Sequence, residues 1–140
     1  MAEIVFVYGS LKRGGRFNPV LSRARFLGEA VTCEPYLLHL GWNWPLLIER
    51  APSAWTAPVC GELYALDRLT LRRVDEIEDN GRLYQRKQAC VRLGTRPLQA
   101  WIYFAKSAKL IKKALKHPKT AFSPHKPCQI FEVKNERGRF

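Results

Sequence analysis

One segment of the chain, residues 67–78, carries a clear helical period. It lies among about six apolar runs that are short and rich in β-branched and aromatic residues. Those runs fall at residues 3–7, 25–28, 30–40, 59–66, 83–93 and 98–104. A chain built this way folds as a mixed, mainly β domain. The last two runs are joined by Gly94-Thr95-Arg96-Pro97 and alternate imperfectly. Imperfect alternation predicts strands covered on both faces, or a small barrel. Asp67 is placed to cap the helix, and Asn80-Gly81 to end it, since both residues tolerate a left-handed backbone. Asn18-Pro19 reads as the cap and first turn of a second, short helix. Gly41-Trp42-Asn43-Trp44-Pro45 is a break before the apolar Leu46-Leu47-Ile48, and residues 51–58 form a turn-rich loop.

The 140 residues suffice for one domain. A hydrophobic fraction of 46% excludes fibrous and wholly disordered classes. No apolar run approaches a membrane span, and the N-terminus lacks the basic segment of a signal peptide. The expected location is therefore cytoplasmic, with Cys33, Cys60, Cys90 and Cys128 as reduced thiols, some of them core residues. The cysteines and His39, His117 and His125 show no metal-ligand spacing, so no metal and no cofactor is expected.

The net charge of +12 is unevenly spread. Residues 1–66 hold six basic groups against five acidic, residues 67–105 eight against five, and residues 106–140 ten against two. The expected organisation is a domain over 1–105 and a basic extension over 106–140, packed on the domain or trailing from it. Within the extension, residues 108–115 could make one or two helical turns and 129–133 could return as an edge strand. Residues 116–127, with three prolines, are ordered by contact or mobile. The extension is either a solvated surface or a docking site for an anionic partner, a carrier protein or nucleic acid bound non-specifically.

Two features bear on chemistry. The first is Tyr8-Gly9-Ser10-Leu11, directly after the first strand. A glycine turn there lets successive backbone N–H groups converge on an anion or carbonyl oxygen, although such turns also occur for purely structural reasons. The second is the helix. At roughly 100° per residue, Leu66, Leu69, Val74 and Ile77 form its buried stripe, and Asp75 and Asp79 point to solvent. Glu78 falls on the rim of the stripe between Leu71 and Val74. It is either a partly desolvated proton-transfer group or a surface residue of the last turn. Glu76, beside Arg73 on the other rim, is the weaker candidate.

The blocks Val5-Phe6-Val7-Tyr8-Gly9-Ser10-Leu11-Lys12-Arg13-Gly14, Val59-Cys60-Gly61-Glu62-Leu63-Tyr64, Val74-Asp75-Glu76-Ile77-Glu78, Leu83-Tyr84-Gln85-Arg86 and Ala100-Trp101-Ile102-Tyr103-Phe104 occur in that order. Together they resemble the gamma-glutamylcyclotransferase-like superfamily, and most closely its gamma-glutamylamine cyclotransferase branch. The resemblance implies an α+β fold, a small mixed β-barrel with flanking helices. It implies a cofactor-independent enzyme that releases 5-oxoproline from a small gamma-glutamyl amine or peptide. Glu78 matches the family's catalytic glutamate. Tyr8, Gly9, Ser10 and Leu11 match its substrate loop, and Tyr103 an aromatic bordering the pocket. Tyr84 and Arg86 match a Tyr-x-Arg block read as structural. Trp44 stands where the family often has Tyr in a Gly-x-Tyr-Pro segment, which gives it a place in the pocket wall. The alternative is a non-catalytic module that binds a small acidic ligand and recruits a partner through its basic tail.

Overall fold

Strand β1 (Glu3–Val7) is apolar on both faces because both are covered, and the topology shows by what. Residues 2–42, 44–119 and 128–133 are described by the structure, a computed structural model. β1 pairs antiparallel with β5 (Cys60–Leu66), and β5 pairs antiparallel with β2 (Arg25–Thr32). β2 continues to β6 (Tyr84–Leu93), β6 to β7 (Arg96–Ala105), and β7 returns to β1 in a parallel pairing, the others in the barrel being antiparallel, closing a five-stranded barrel. Closure removes the exposed edges that an open sheet would leave. A two-stranded hairpin, β3 (Leu37–His39) and β4 (Leu46–Ile48), is separate from the barrel sheet.

Alternate residues of the strands enter two apolar clusters. Phe6, Leu63, Val91, Ile102 and Phe104 belong to one, which contains no residue of either helix. Val5, Val7, Tyr64, Leu66 and Tyr103 belong to the other, together with Leu71 and Val74 of α1 (Arg68–Ile77) and Ala114 of α2 (Ala108–Lys116). The barrel strands are thus packed inward on each other and outward on the helices. This is why their alternation is imperfect in the sequence.

Several local expectations change. The runs at 25–28 and 30–40 are not two strands of one kind: the first continues through a bulge at Phe26/Gly28 as β2, and only 37–39 of the second pairs again. Gly28 takes a φ of 144° at that bulge. Asn18 opens a 3-10 turn, but its side chain is not the cap; its amide donates to the Leu11 carbonyl at 2.8 Å. Asp67 does cap α1, accepting from the Thr70 N–H at 2.7 Å. The helix ends earlier than Asn80-Gly81, with Asp79 taking a left-handed φ of 50°. Leu69 is 60% exposed, because Thr70, Leu71 and Val74 form the buried face.

The extension contributes to the core. Ala114 is buried, and Gln129 is completely so. The Gln129 amide donates to the carbonyls of Tyr36 and Ala57 at 2.7 and 2.9 Å, and its Oε1 accepts from the Leu38 N–H. Residues 129–133 make a single parallel bridge, Val59 to Gln129, and no strand. Residues 120–127 and 134–140 lie outside the described residues, and with them most of the expected proline-rich segment. Among the described residues no helix is long and apolar enough to cross a membrane.

The four cysteines are paired, contrary to the expectation of free thiols. Cys33 bonds Cys90 and Cys60 bonds Cys128, with Cα separations of 5.4 and 5.6 Å. Linear spacing hid this because the partners meet only through tertiary pairing: the Cys33 N–H donates to the Cys90 carbonyl, and the Cys60 N–H to that of Gln129. The pairing removes the cysteine argument for a reducing compartment.

Candidate active site

A cavity of about 250 Å³ opens where β1 ends. Its floor is the turn of Tyr8, Gly9, Ser10 and Leu11, and its walls come from Trp44 and Pro45 before β4, the end of α1, and the aromatic residues Tyr84 and Tyr103. The seven residues expected at a catalytic or substrate-binding site, Tyr8, Gly9, Ser10, Leu11, Trp44, Glu78 and Tyr103, line this one space, and the weaker candidate Glu76 does not.

The turn is held from outside the cavity. The Lys12 N–H closes on the Gly9 carbonyl at 3.0 Å, and the Phe17 N–H on that of Ser10. Glu62, buried on β5, accepts from the Arg13 N–H at 2.9 Å and from the Tyr64 hydroxyl. The N–H groups of Gly9, Ser10 and Leu11 donate to no other backbone carbonyl among the described residues. Gly9 is required by close approach: a Cβ there would stand 2.9 Å from Pro45 Cγ. Pro45 is itself fixed, since its carbonyl accepts the Tyr84 hydroxyl at 2.5 Å.

Glu78 follows the last helical residue, and its N–H donates to the Val74 carbonyl at 2.9 Å. This anchors it four residues beyond Val74, on the cavity side of α1. Burial among apolar walls pushes its carboxyl up to about 7, and no neighbouring cation or donor offsets the effect. The three phenols stay protonated because burial raises each of them well above its usual range, with the charge of Glu78 adding to the rise. Each hydroxyl is already committed: Tyr8 donates to the Tyr103 carbonyl, Tyr84 to that of Pro45, and Tyr103 to Asp75 Oδ1 at 2.5 Å. They offer the cavity ring faces and leave Glu78 as its titrating group near neutrality.

Asp75 is not solvated as its helical phase suggested. It takes a bidentate pair from Arg86 at 2.9 and 3.1 Å as well as the Tyr103 hydroxyl. The Arg86 guanidinium also lies 4.1 Å from the Trp101 ring centre. Glu76 is exposed and Asp79 pairs with Arg82, so neither shares the cavity. The arrangement can hold one oxygen-rich group on backbone N–H groups and exchange a proton with it through a carboxylate tuned to neutral pH.

The model of the gamma-glutamyl cyclotransferase, AIG2-like family matches residues 5–122. The chain belongs to this family. Among its relatives, the gamma-glutamylaminecyclotransferase of Bos taurus is 40% identical over 108 residues, covering 71% of this chain and 63% of the relative. A Methanocaldococcus jannaschii protein, provisionally named a gamma-glutamylcyclotransferase, is 34% identical over 104 residues, covering 73% and 83%. The crystal structure of a mouse AIG2-like protein superposes with a TM-score of 0.65 at 25% identity, over 96% of this chain and 99% of that one. The barrel with flanking helices is therefore a gamma-glutamyl cyclotransferase fold, and the family is one of cyclising enzymes.

Sequence reasoning missed three contributors. Tyr84 was read as structural, yet its ring lines the cavity while its hydroxyl holds Pro45. Phe17 lines the cavity from the loop after the turn and had no signal of its own. Glu62 supports the turn from behind, and only its position inside an apolar strand run hinted at a buried role.

Proposed function

We propose that this protein cyclises the gamma-glutamyl group of a small gamma-glutamyl amine or peptide and releases 5-oxoproline and a free amine. The observation that carries the reading is the Glu78 carboxyl, raised to about 7, in the same cavity as the Tyr8-Gly9-Ser10-Leu11 turn.

The substrate's own α-amine is the nucleophile. As an ammonium it has no lone pair, so Glu78 first takes a proton from it. The amine nitrogen then attacks the γ-carbonyl carbon and closes a five-membered ring. The carbonyl oxygen gains negative charge, which the N–H groups of the turn are disposed to stabilise. Collapse of that intermediate breaks the bond to the leaving nitrogen, the proton held by Glu78 moves to it, and the ring nitrogen gives its surplus proton to the freed carboxylate, which passes it to the departing amine or to water. One carboxyl thus serves as base and then as acid. Folding the substrate so that amine and carbonyl meet supplies the proximity that a free chain lacks. Ser10 acts as a binding residue, and no covalent enzyme intermediate is needed.

The test is release of 5-oxoproline by the folded wild-type protein across gamma-glutamyl amines and dipeptides. Release from one or more supports the reading. Binding without release from any of them would leave the alternative, a non-catalytic ligand-binding module. The exposed Lys109, Lys112, Lys113 and Lys116 of α2 also suit an anionic partner. The corresponding test is salt-dependent retention on nucleic acid or an acidic carrier, weakened by Lys112→Glu and Lys113→Glu.

A further inference from the structure

A second compartment of about 500 Å³ adjoins the cavity and shares with it Ser10, Phe17, Trp44 and Pro45. Its far side is Trp42 and Phe131. We infer that it receives the group carried by the leaving amine and selects a flat apolar one, an arylalkylamine. The inference rests on the proposed cyclotransferase reading. If the glutamyl part occupies the Glu78 cavity, the adjoining compartment across the shared wall of Ser10, Phe17, Trp44 and Pro45 is the space for the leaving group to fill.

The chemistry of the lining sets the preference. Trp42 and Trp44 stack with ring centres 5.8 Å apart and planes within 14°. Trp42 is braced from behind by the His39 ring, 4.8 Å away. Trp44 remains 40% exposed, unusual for so large an apolar side chain. A third aromatic, Phe131, is held in place by the extension. The buried Lys12 ammonium donates to the Phe131 carbonyl at 2.6 Å, and two residues earlier Gln129 is fixed by its three side-chain hydrogen bonds. The wall is therefore built before a ligand arrives, which lowers the ordering cost of binding. One cation and one anion, Arg16 and Glu132, line the compartment. Their charges oppose each other, and the Arg16 guanidinium lies 5.3 Å from the Phe17 ring. Neither sign is favoured, whereas an aromatic ring gains both apolar burial and stacking.

Three intact substrates test this: gamma-glutamyl benzylamide, gamma-glutamyl methylamide and gamma-glutamyl-ε-lysine. Their binding to the Glu78→Gln protein is measured by calorimetry, and their turnover by the wild type through 5-oxoproline. The benzylamide is expected to bind at least about tenfold tighter than the methylamide, the scale of one added aromatic contact. Phe131→Ala in the same background should bring that ratio to about threefold or less, with Trp42→Ala as the second variant if the first fails to fold. Equal affinities, or tighter binding of the lysine conjugate than of the benzylamide, would overturn the inference even if all three release 5-oxoproline. A benzylamide preference without any release would uphold the compartment's ligand class and remove the catalytic reading instead.

Discussion

A Glu78 carboxyl held near 7 inside the fold, against about 4.5 outside it, ties folding, and in the proposed mechanism turnover, to the same proton. The folded state binds this proton more tightly than the unfolded chain. Stability is therefore full below about pH 4.5 and is lost as pH rises through about 7. At 1.36 kcal/mol per pKa unit, the loss is on the order of 3 kcal/mol. Glu78→Gln removes the desolvated charge, so the variant should melt higher than wild type at pH 8 and equally at pH 4.5, a comparison made by calorimetry. Gly9→Ala acts differently. The new Cβ would press on Pro45, whose carbonyl anchors Tyr84, and overpacking of this kind costs about 1–3 kcal/mol. The expected result is a higher KM and a lower melting temperature. That Glu78 falls between Leu71 and Val74 was legible from helical arithmetic, but those two residues belong to the buried face itself and do not mark its rim. The raised pKa of Glu78 was legible only in part, because the walls that desolvate it come from the β1 turn, the segment before β4 and the ends of β6 and β7.

Between elements, Asp75 joins α1 to β6 and β7 through Arg86 and Tyr103. The Tyr103 carbonyl in turn accepts the Tyr8 hydroxyl, so the contact reaches the turn after β1. Asp75→Ala leaves Arg86 without its anion and Tyr103 without its acceptor. Both charged side chains are about one-fifth exposed, so the expected loss lies at the low end of the range for broken buried pairs, about 2–3 kcal/mol by chemical denaturation. Asp75→Asn keeps an acceptor for Tyr103 and should lose less. The helix itself was legible from its period and its Asp67 cap. Its phase was not: a ten-residue helix with leucines at 69 and 71 fits two buried stripes, and the barrel packs on the one containing Thr70, Leu71 and Val74. Asp75 was misread for the same reason, since its partners arrive from strands eleven and twenty-eight residues away.

At the scale of the whole molecule, the barrel was legible from the short apolar runs and the ordered blocks, and the cysteine pairing was not. Cys33–Cys90 and Cys60–Cys128 span 57 and 68 residues, and loops of that length contribute about 4 kcal/mol each through the unfolded state. Reduction should therefore lower the melting temperature strongly, and non-reducing peptide mass analysis should recover both pairs. The extension was separated from the domain by its charge, but Ala114 and Gln129 are core residues. Deleting 106–140 is expected to abolish cooperative unfolding, whereas reversing the charge of exposed α2 lysines should leave it intact.

The central claim is that Glu78 moves the proton. The direct measurement is the rate of 5-oxoproline release from one accepted gamma-glutamyl substrate, followed against pH for wild type and for folded Glu78→Gln. The expected wild-type kcat/KM rises with pH through about 7 as the base form of Glu78 appears, and the variant falls by at least about a hundredfold at every pH. A folded Glu78→Gln protein that turns over at the wild-type rate would contradict the account.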